Sequence, residues 1–72
     1  MPARIIIMKS EAFNASYPKW ADPIEGKYDN LPRELFIIRG QDGYVTAIDN
    51  STGDAWTEDF TTLEMAIIYL EQ

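Results

Sequence analysis

The residues closest to a catalytic pattern are two pairs of carboxylates, Asp49 with Asp54 and Glu58 with Asp59. A carboxylate pair works as general acid and base only where a desolvated cleft drives its two pKa values apart. Glu58 and Asp59 are adjacent, and neighbouring side chains on a strand point to opposite faces. Asp49 and Asp54 flank Asn50-Ser51-Thr52-Gly53, whose residue types are those of an exposed turn. Neither pair has apolar residues gathered around it. With no His and no Cys, the chain also lacks thiol nucleophiles, Ser–His and Cys–His pairs, and the side chain whose unperturbed pKa suits proton transfer near neutrality. A chain of 72 residues seldom encloses the cleft that would compensate. The expectation is a protein that is not an enzyme and needs no cofactor.

Metal chemistry is restricted in the same way. Zinc sites draw on Cys and His, so only hard ions with oxygen ligands remain. The segment Asp49-Asn50-Ser51-Thr52-Gly53-Asp54 resembles a calcium loop, but an EF-hand needs Gly at its sixth position and Glu at its twelfth. Here Asp54 and Thr61 stand at those positions. A hairpin turn accounts for every residue type in the segment, and no metal is expected.

Charge is distributed unevenly. Residues 1–39 hold all six basic residues and five acids, whereas residues 40–72 hold seven acids and no base, so a net charge of −6 divides into +1 and −7. The acidic part would repel a phosphate backbone, which excludes nucleic acid as a direct ligand there, and it would steer a basic protein partner instead. Asp42, Asp54 and Glu58 are the candidate contacts. A plain solubilising surface accounts for the acidity equally well. A second functional form of the same feature is an acidic inhibitor, of the kind phages and mobile elements carry, that occupies a nucleic-acid-binding surface of a host defence protein.

Aromatic residues give the other candidate. Tyr17-Pro18-Lys19-Trp20, with Tyr28 nearby, sets large amphipathic rings and stiff prolines in a turn-like stretch. Tyr and Trp dominate binding hot spots, and the same rings can equally fold back to cap the thin core of a small domain. Tyr17, Trp20 and Tyr28 are the candidates for partner contact.

These residues need elements to position them. Ala3 to Met8 reads as a strand, its three consecutive Ile matching one buried on both faces and centrally placed. From about 9 to 34 the prolines Pro18, Pro23 and Pro32 punctuate a long loop, within which a helical turn around Glu11 to Ala15 is compatible with the composition. Glu34 to Arg39 resumes an apolar run, and Gly40-Gln41-Asp42-Gly43 carries the Asp-Gly hairpin signature. Strands over Tyr44 to Asp49 and Asp54 to Glu58, the latter bearing Trp56, complete a β-meander. A helix over Thr62 to Leu70 starts with a capping box of Thr61 and Glu64 and a hydrophobic staple of Phe60 on Met65. Leu63, Ala66, Ile67 and Leu70 form its core stripe.

The whole chain, 1–72, reads as a single α+β domain: a small, mainly antiparallel sheet of about four strands, with one C-terminal helix packed on one face. The first strand either closes the sheet edge or pairs in parallel beside the meander. A meander followed by a helix resembles, over about half the chain, integrase-arm and related plant DNA-binding domains. Those read DNA with basic residues on the sheet, and this sheet segment offers only Arg39.

Met65, Ile68 and Tyr69 widen the helix's apolar surface beyond what one sheet face covers. A second copy would supply the missing burial, so the expected state is a homodimer with these three residues at its interface. The longest apolar run near the start, Ile5-Ile6-Ile7-Met8, is far too short for a membrane span or a signal-peptide core. The expected protein is soluble, cytoplasmic and free of the membrane.

Overall fold

Leu35-Phe36-Ile37-Ile38 and Val45-Thr46-Ala47-Ile48 pair antiparallel in the middle of a four-stranded sheet, Phe36 opposite Ile48 and Ile37 opposite Ala47. The computed structural model describes residues 4–17, 31–40 and 42–72. Its elements in chain order are β1 (Ile5–Lys9), α1 (Ser10–Ser16), β2 (Leu35–Arg39), β3 (Val45–Asp49), β4 (Trp56–Phe60) and α2 (Leu63–Leu70). Spatial order follows chain order, β1-β2-β3-β4.

The domain is α+β, as its sequence implies, but the sheet is mixed. β1 runs parallel to β2, with Ile6 beside Phe36 and Met8 beside Ile38. Strand β1 is therefore an edge among the described residues, not the centre. Its three Ile are half-buried or exposed, and Ile7 keeps 49% of its surface, because α2 lies over β2, β3 and β4 and stops short of it. A parallel pair cannot be closed by a tight turn and needs a crossover. That crossover explains the long segment between β1 and β2, and its first part is the helix α1 within a stretch expected as loop. Seven residues are too few to hold a helix by propensity; Phe13 anchors it, buried against Phe36 with ring centroids 5.6 Å apart.

Both faces of the sheet are thus covered. One carries Phe13, Leu31, Phe36, Ile38, Ile48 and Ala55, with Ile6, Met8 and Tyr17 packed around them. The other carries Ile37, Val45, Ala47 and, from α2, Ala66 and Leu70. Alternation along β2 and β3 sends successive side chains into the two cores, which is why β2 reads as an unbroken apolar run and β3 as apolar but for Thr46 and Asp49.

The start of α2 differs from the expected capping box. Thr62 is the N-cap, its extended backbone and Oγ1 receiving the Met65 N–H at 3.2 Å. Thr61 lies one residue outside, its hydroxyl 3.9 Å from the Met65 sulfur. The shift by one residue places Met65, rather than Glu64, at the third helical position and abolishes the box. Phe60 packs near Tyr69, ring centroids 5.4 Å apart, and lines a shared groove with Met65, its expected staple partner. Strand β4 also begins two residues later than its composition suggests, because residues 50–55 are all used by the turn before it.

That turn is organised by Asn50, a wholly buried polar residue. Its Nδ2 donates to the carbonyls of Leu31 (2.9 Å) and Pro32 (3.0 Å), and its Oδ1 accepts the Ala55 N–H (3.0 Å). Its main chain donates to the Glu34 carbonyl and accepts from Gly53. Gly53 stands at φ +88°, and Ala55 is held at φ 51°, a conformation an L-residue seldom adopts unaided.

Replacing Asn50 by Ala strands the buried Leu31 carbonyl and the Ala55 N–H, whereas the Pro32 carbonyl keeps the Glu34 N–H, and should cost on the order of 3 kcal/mol in urea unfolding. Thr62→Ala should cost about 1 kcal/mol through the lost cap, while Thr61→Ala should stay within about 0.5 kcal/mol. The reverse order would contradict the cap assignment.

Candidate interaction surface

Strand β4 closes the sheet opposite β1, and four of its five residues, Trp56 to Asp59, are exposed. Trp56 keeps 64% of its surface. The register places Trp56 opposite Asp49, Glu58 opposite Ala47 and Asp59 opposite Thr46, so Trp56 and Glu58 lie on the α2 side of the sheet and Thr57 and Asp59 on the α1 side. Asp59 accepts the Thr46 hydroxyl at 2.7 Å, a cross-strand contact that ties the edge to β3.

Beside this edge runs the outer face of α2. Met65 and Ile68 keep 48% and 50% of their surface, and with Phe60, Tyr69 and Gln72 they line a shallow groove of about 250 Å³. Tyr69 is half-buried because its ring leans on Phe60. The surface is therefore apolar along the helix and acidic along the strand. Glu58, Asp59, Glu64 and Glu71 are exposed, and no ion pair engages them among the described residues.

On the other side, a cleft of about 350 Å³ opens between the start of α1 and β4, lined by Ser10, Ile38, Asp42, Tyr44, Thr46 and Asp59. The β2–β3 hairpin forms its rim. Asp42 accepts the Tyr44 N–H at 3.1 Å and Gly40 donates to the Tyr44 carbonyl. A Cβ on Gly40 would stand 2.8 Å from the Asp42 carboxylate and 3.2 Å from the Tyr44 carbonyl, so a larger residue there would displace the Asp42 side chain from the turn.

Of the two carboxylate pairs that suggested chemistry, the first is engaged in hydrogen bonds of the turn and the second is divided between the two faces of the sheet. Asp49 accepts from both the backbone N–H and the hydroxyl of Ser51, at 3.1 and 2.6 Å, and Asp54 accepts the Thr52 hydroxyl at 2.9 Å. Each holds its own side of the turn. Glu58 and Asp59 point to opposite faces. Among the described residues no three acidic, His or Cys side chains gather as a metal site, and no helix is long and apolar enough to cross a membrane.

Of the residues the sequence singles out for partner contact, Asp42, Asp54 and Glu58 are exposed. Asp42 and Asp54 lie in the two hairpin turns, at opposite ends of β3, and Glu58 lies between them on β4. Tyr17 is half-buried, its ring 5.3 Å from Phe13 and 5.9 Å from Phe36, and so contributes to the core on the α1 side. Trp20 and Tyr28 lie outside the described residues. Met65, Ile68 and Tyr69 form one continuous strip with Phe60. Trp56 and Asp59 are additions that strand periodicity alone does not rank, because their exposure follows from β4 being an edge. No family model matches the chain, and no match was found among curated proteins or solved structures.

Trp56→Ala should leave unfolding within about 0.5 kcal/mol of the parent, whereas Tyr17→Ala should cost about 2 kcal/mol through the lost contacts with Phe13 and Phe36. Thermal denaturation of the two variants side by side distinguishes a surface ring from a core ring.

Proposed function

We propose that the chain is a non-enzymatic protein-interaction module, which self-associates through the outer face of α2 and presents its acidic β4 side to a basic protein partner. The observation that carries this reading is the exposure of Trp56, Met65 and Ile68 within residues 40–72, where every charged side chain is an acid. Large apolar side chains clustered at a surface mark contact sites, and a field of one sign selects partners of the other. A phosphate backbone would be repelled, so the partner is protein. The lack of His and Cys and the open positions of the carboxylates favour binding over catalysis. We place the protein in the cytoplasm, where a chain without cysteine has no need of an oxidising compartment.

Inhibition of a nucleic-acid-binding host defence protein is a narrower form of the same reading. It would use the acids of β4 and the adjoining turns as stand-ins for phosphates, and its binding would weaken steeply with salt.

Light scattering over a dilution series, with melting recorded at each concentration, tests self-association. A dimer whose melting temperature falls on dilution is expected, together with a folded monomer for the double variant Met65→Ser/Ile68→Ser. A parent that is monomeric throughout, with a melting temperature independent of concentration, would refute it.

A further inference from the structure

The outer edge of β4 has a defined hydrogen-bonding pattern, which follows from the hairpin before it. Gly40 N–H donates to the Tyr44 carbonyl and Asn50 N–H to the Glu34 carbonyl, so even-numbered positions along β3 turn their backbone groups toward β2. Backbone groups alternate along an antiparallel strand. Positions 45, 47 and 49 therefore turn toward β4, where they meet Phe60, Glu58 and Trp56. Thr57 and Asp59 are left with N–H and C=O directed away from the sheet. Among the described residues nothing pairs with them.

An open strand edge is a template for another strand. Its side chains decide which. A second copy paired about a two-fold axis centred on Glu58 would set Glu58 against Glu58 and each Asp59 beside the partner's Thr57, gathering four carboxylates with no cation among them. Like charges directly opposite are destabilising, so β4 is guarded against its own kind. A basic strand meets the opposite situation: one residue faces Glu58 on the α2 side, the next faces Asp59 on the α1 side, and Trp56 offers an exposed ring for a cationic or apolar side chain.

From this juxtaposition we infer that β4 is a docking edge that takes up an extended basic segment of a partner protein as a fifth strand, with adjacent Lys or Arg residues opposite Glu58 and Asp59. This deepens the proposed function and rests on its basic-partner reading. Main-chain bonds at Thr57 and Asp59 supply affinity, and the acids supply selection.

The probe is a short capped peptide with a central Arg-Arg flanked by alternating Val and Thr, titrated into the labelled protein and followed by amide NMR and hydrogen exchange. The amides of Thr57 and Asp59 should gain protection while those of Trp56 and Glu58, already bonded to β3, change little. Thr57→Pro removes one outward N–H at a position where an edge strand tolerates proline, and should weaken binding about tenfold. The same peptide N-methylated on alternate residues should lose affinity against the unaltered protein, which makes the result independent of whether the proline variant folds. Glu58→Gln/Asp59→Asn should weaken binding and flatten its salt dependence.

Binding that survives both Thr57→Pro and N-methylation would overturn the edge. If that binding is instead lost in Met65→Ser/Ile68→Ser, the partner uses α2, and the interaction-module reading stands while the edge falls. Failure of the peptide to bind would overturn the docking edge, whatever the oligomeric state proves to be.

Discussion

The side chain of Asn50 is the constraint on which the arrangement rests. Three hydrogen bonds from one buried amide fasten the entry to β2, through Leu31 and Pro32, to the start of β4, through Ala55. An amide is the side chain that can donate twice and accept at once in so small a space. Aspartate lacks the donors, and an apolar residue would leave the buried Leu31 carbonyl and Ala55 N–H without partners. The left-handed backbone of Ala55 persists because its N–H is held, and the position of Trp56, hence the register of β4, follows. A buried interaction, itself out of reach of any partner, thereby decides which residues the edge displays.

A second organising feature is that the sheet has two cores rather than one. Phe13 and Phe36 anchor the α1 face, while Ala66 and Leu70 close on Ile37, Val45 and Ala47 across the other. Ala47 and Ala66, both fully buried, let α2 approach β3 closely, and the helix is centred there. Because α2 sits over β2 to β4, Ile7 of β1 is left partly bare at one edge, and Met65 and Ile68 at the outside of the helix. Among the described residues, the domain covers both sheet faces but neither outer edge, in keeping with the high surface-to-volume ratio of a short chain.

Acidity and edge geometry combine in β4. Natural sheets protect exposed edges with charge, and here the protecting charge is entirely negative. Such an edge excludes copies of itself and strands of similar charge, but it does not exclude a basic strand. The helix beside it has the opposite character, with an apolar outer strip bearing no charge between Met65 and Leu70. Association of like copies through the helix and of a basic partner through the strand are compatible because the two surfaces adjoin without sharing residues.

Much of this was legible in the residues. The apolar run at 35–38, the largely apolar stretch at 45–48, the Asp-Gly turn between them and the apolar periodicity of 63–70 announce two paired strands and a helix in the right order, since each is a local pattern of side-chain type. The absence of His and Cys, and with it of the usual zinc ligands and thiol or imidazole groups, is read from composition, and the acidic half from counting. Tertiary structure decided what local pattern cannot express. Whether Ile5-Ile6-Ile7 is central or peripheral depends on which strand it meets, and a parallel partner thirty residues away leaves no local trace. The helix at Ser10–Ser16 is too short to declare itself and exists because Phe13 finds Phe36. The spacing of Thr61 and Glu64 points to a cap one residue too early, and only the backbone of the helix start shows that Thr62 takes that role. Asn50 reads as an ordinary turn residue, and only the burial of its amide among Leu31, Pro32 and Ala55 makes it the fastening of the fold. Sequence alone determined the meander, the C-terminal helix and the sign of the charge; the three-dimensional structure added the helix at Ser10–Ser16 and determined which strand became the edge, because edges are defined by the neighbours a strand lacks.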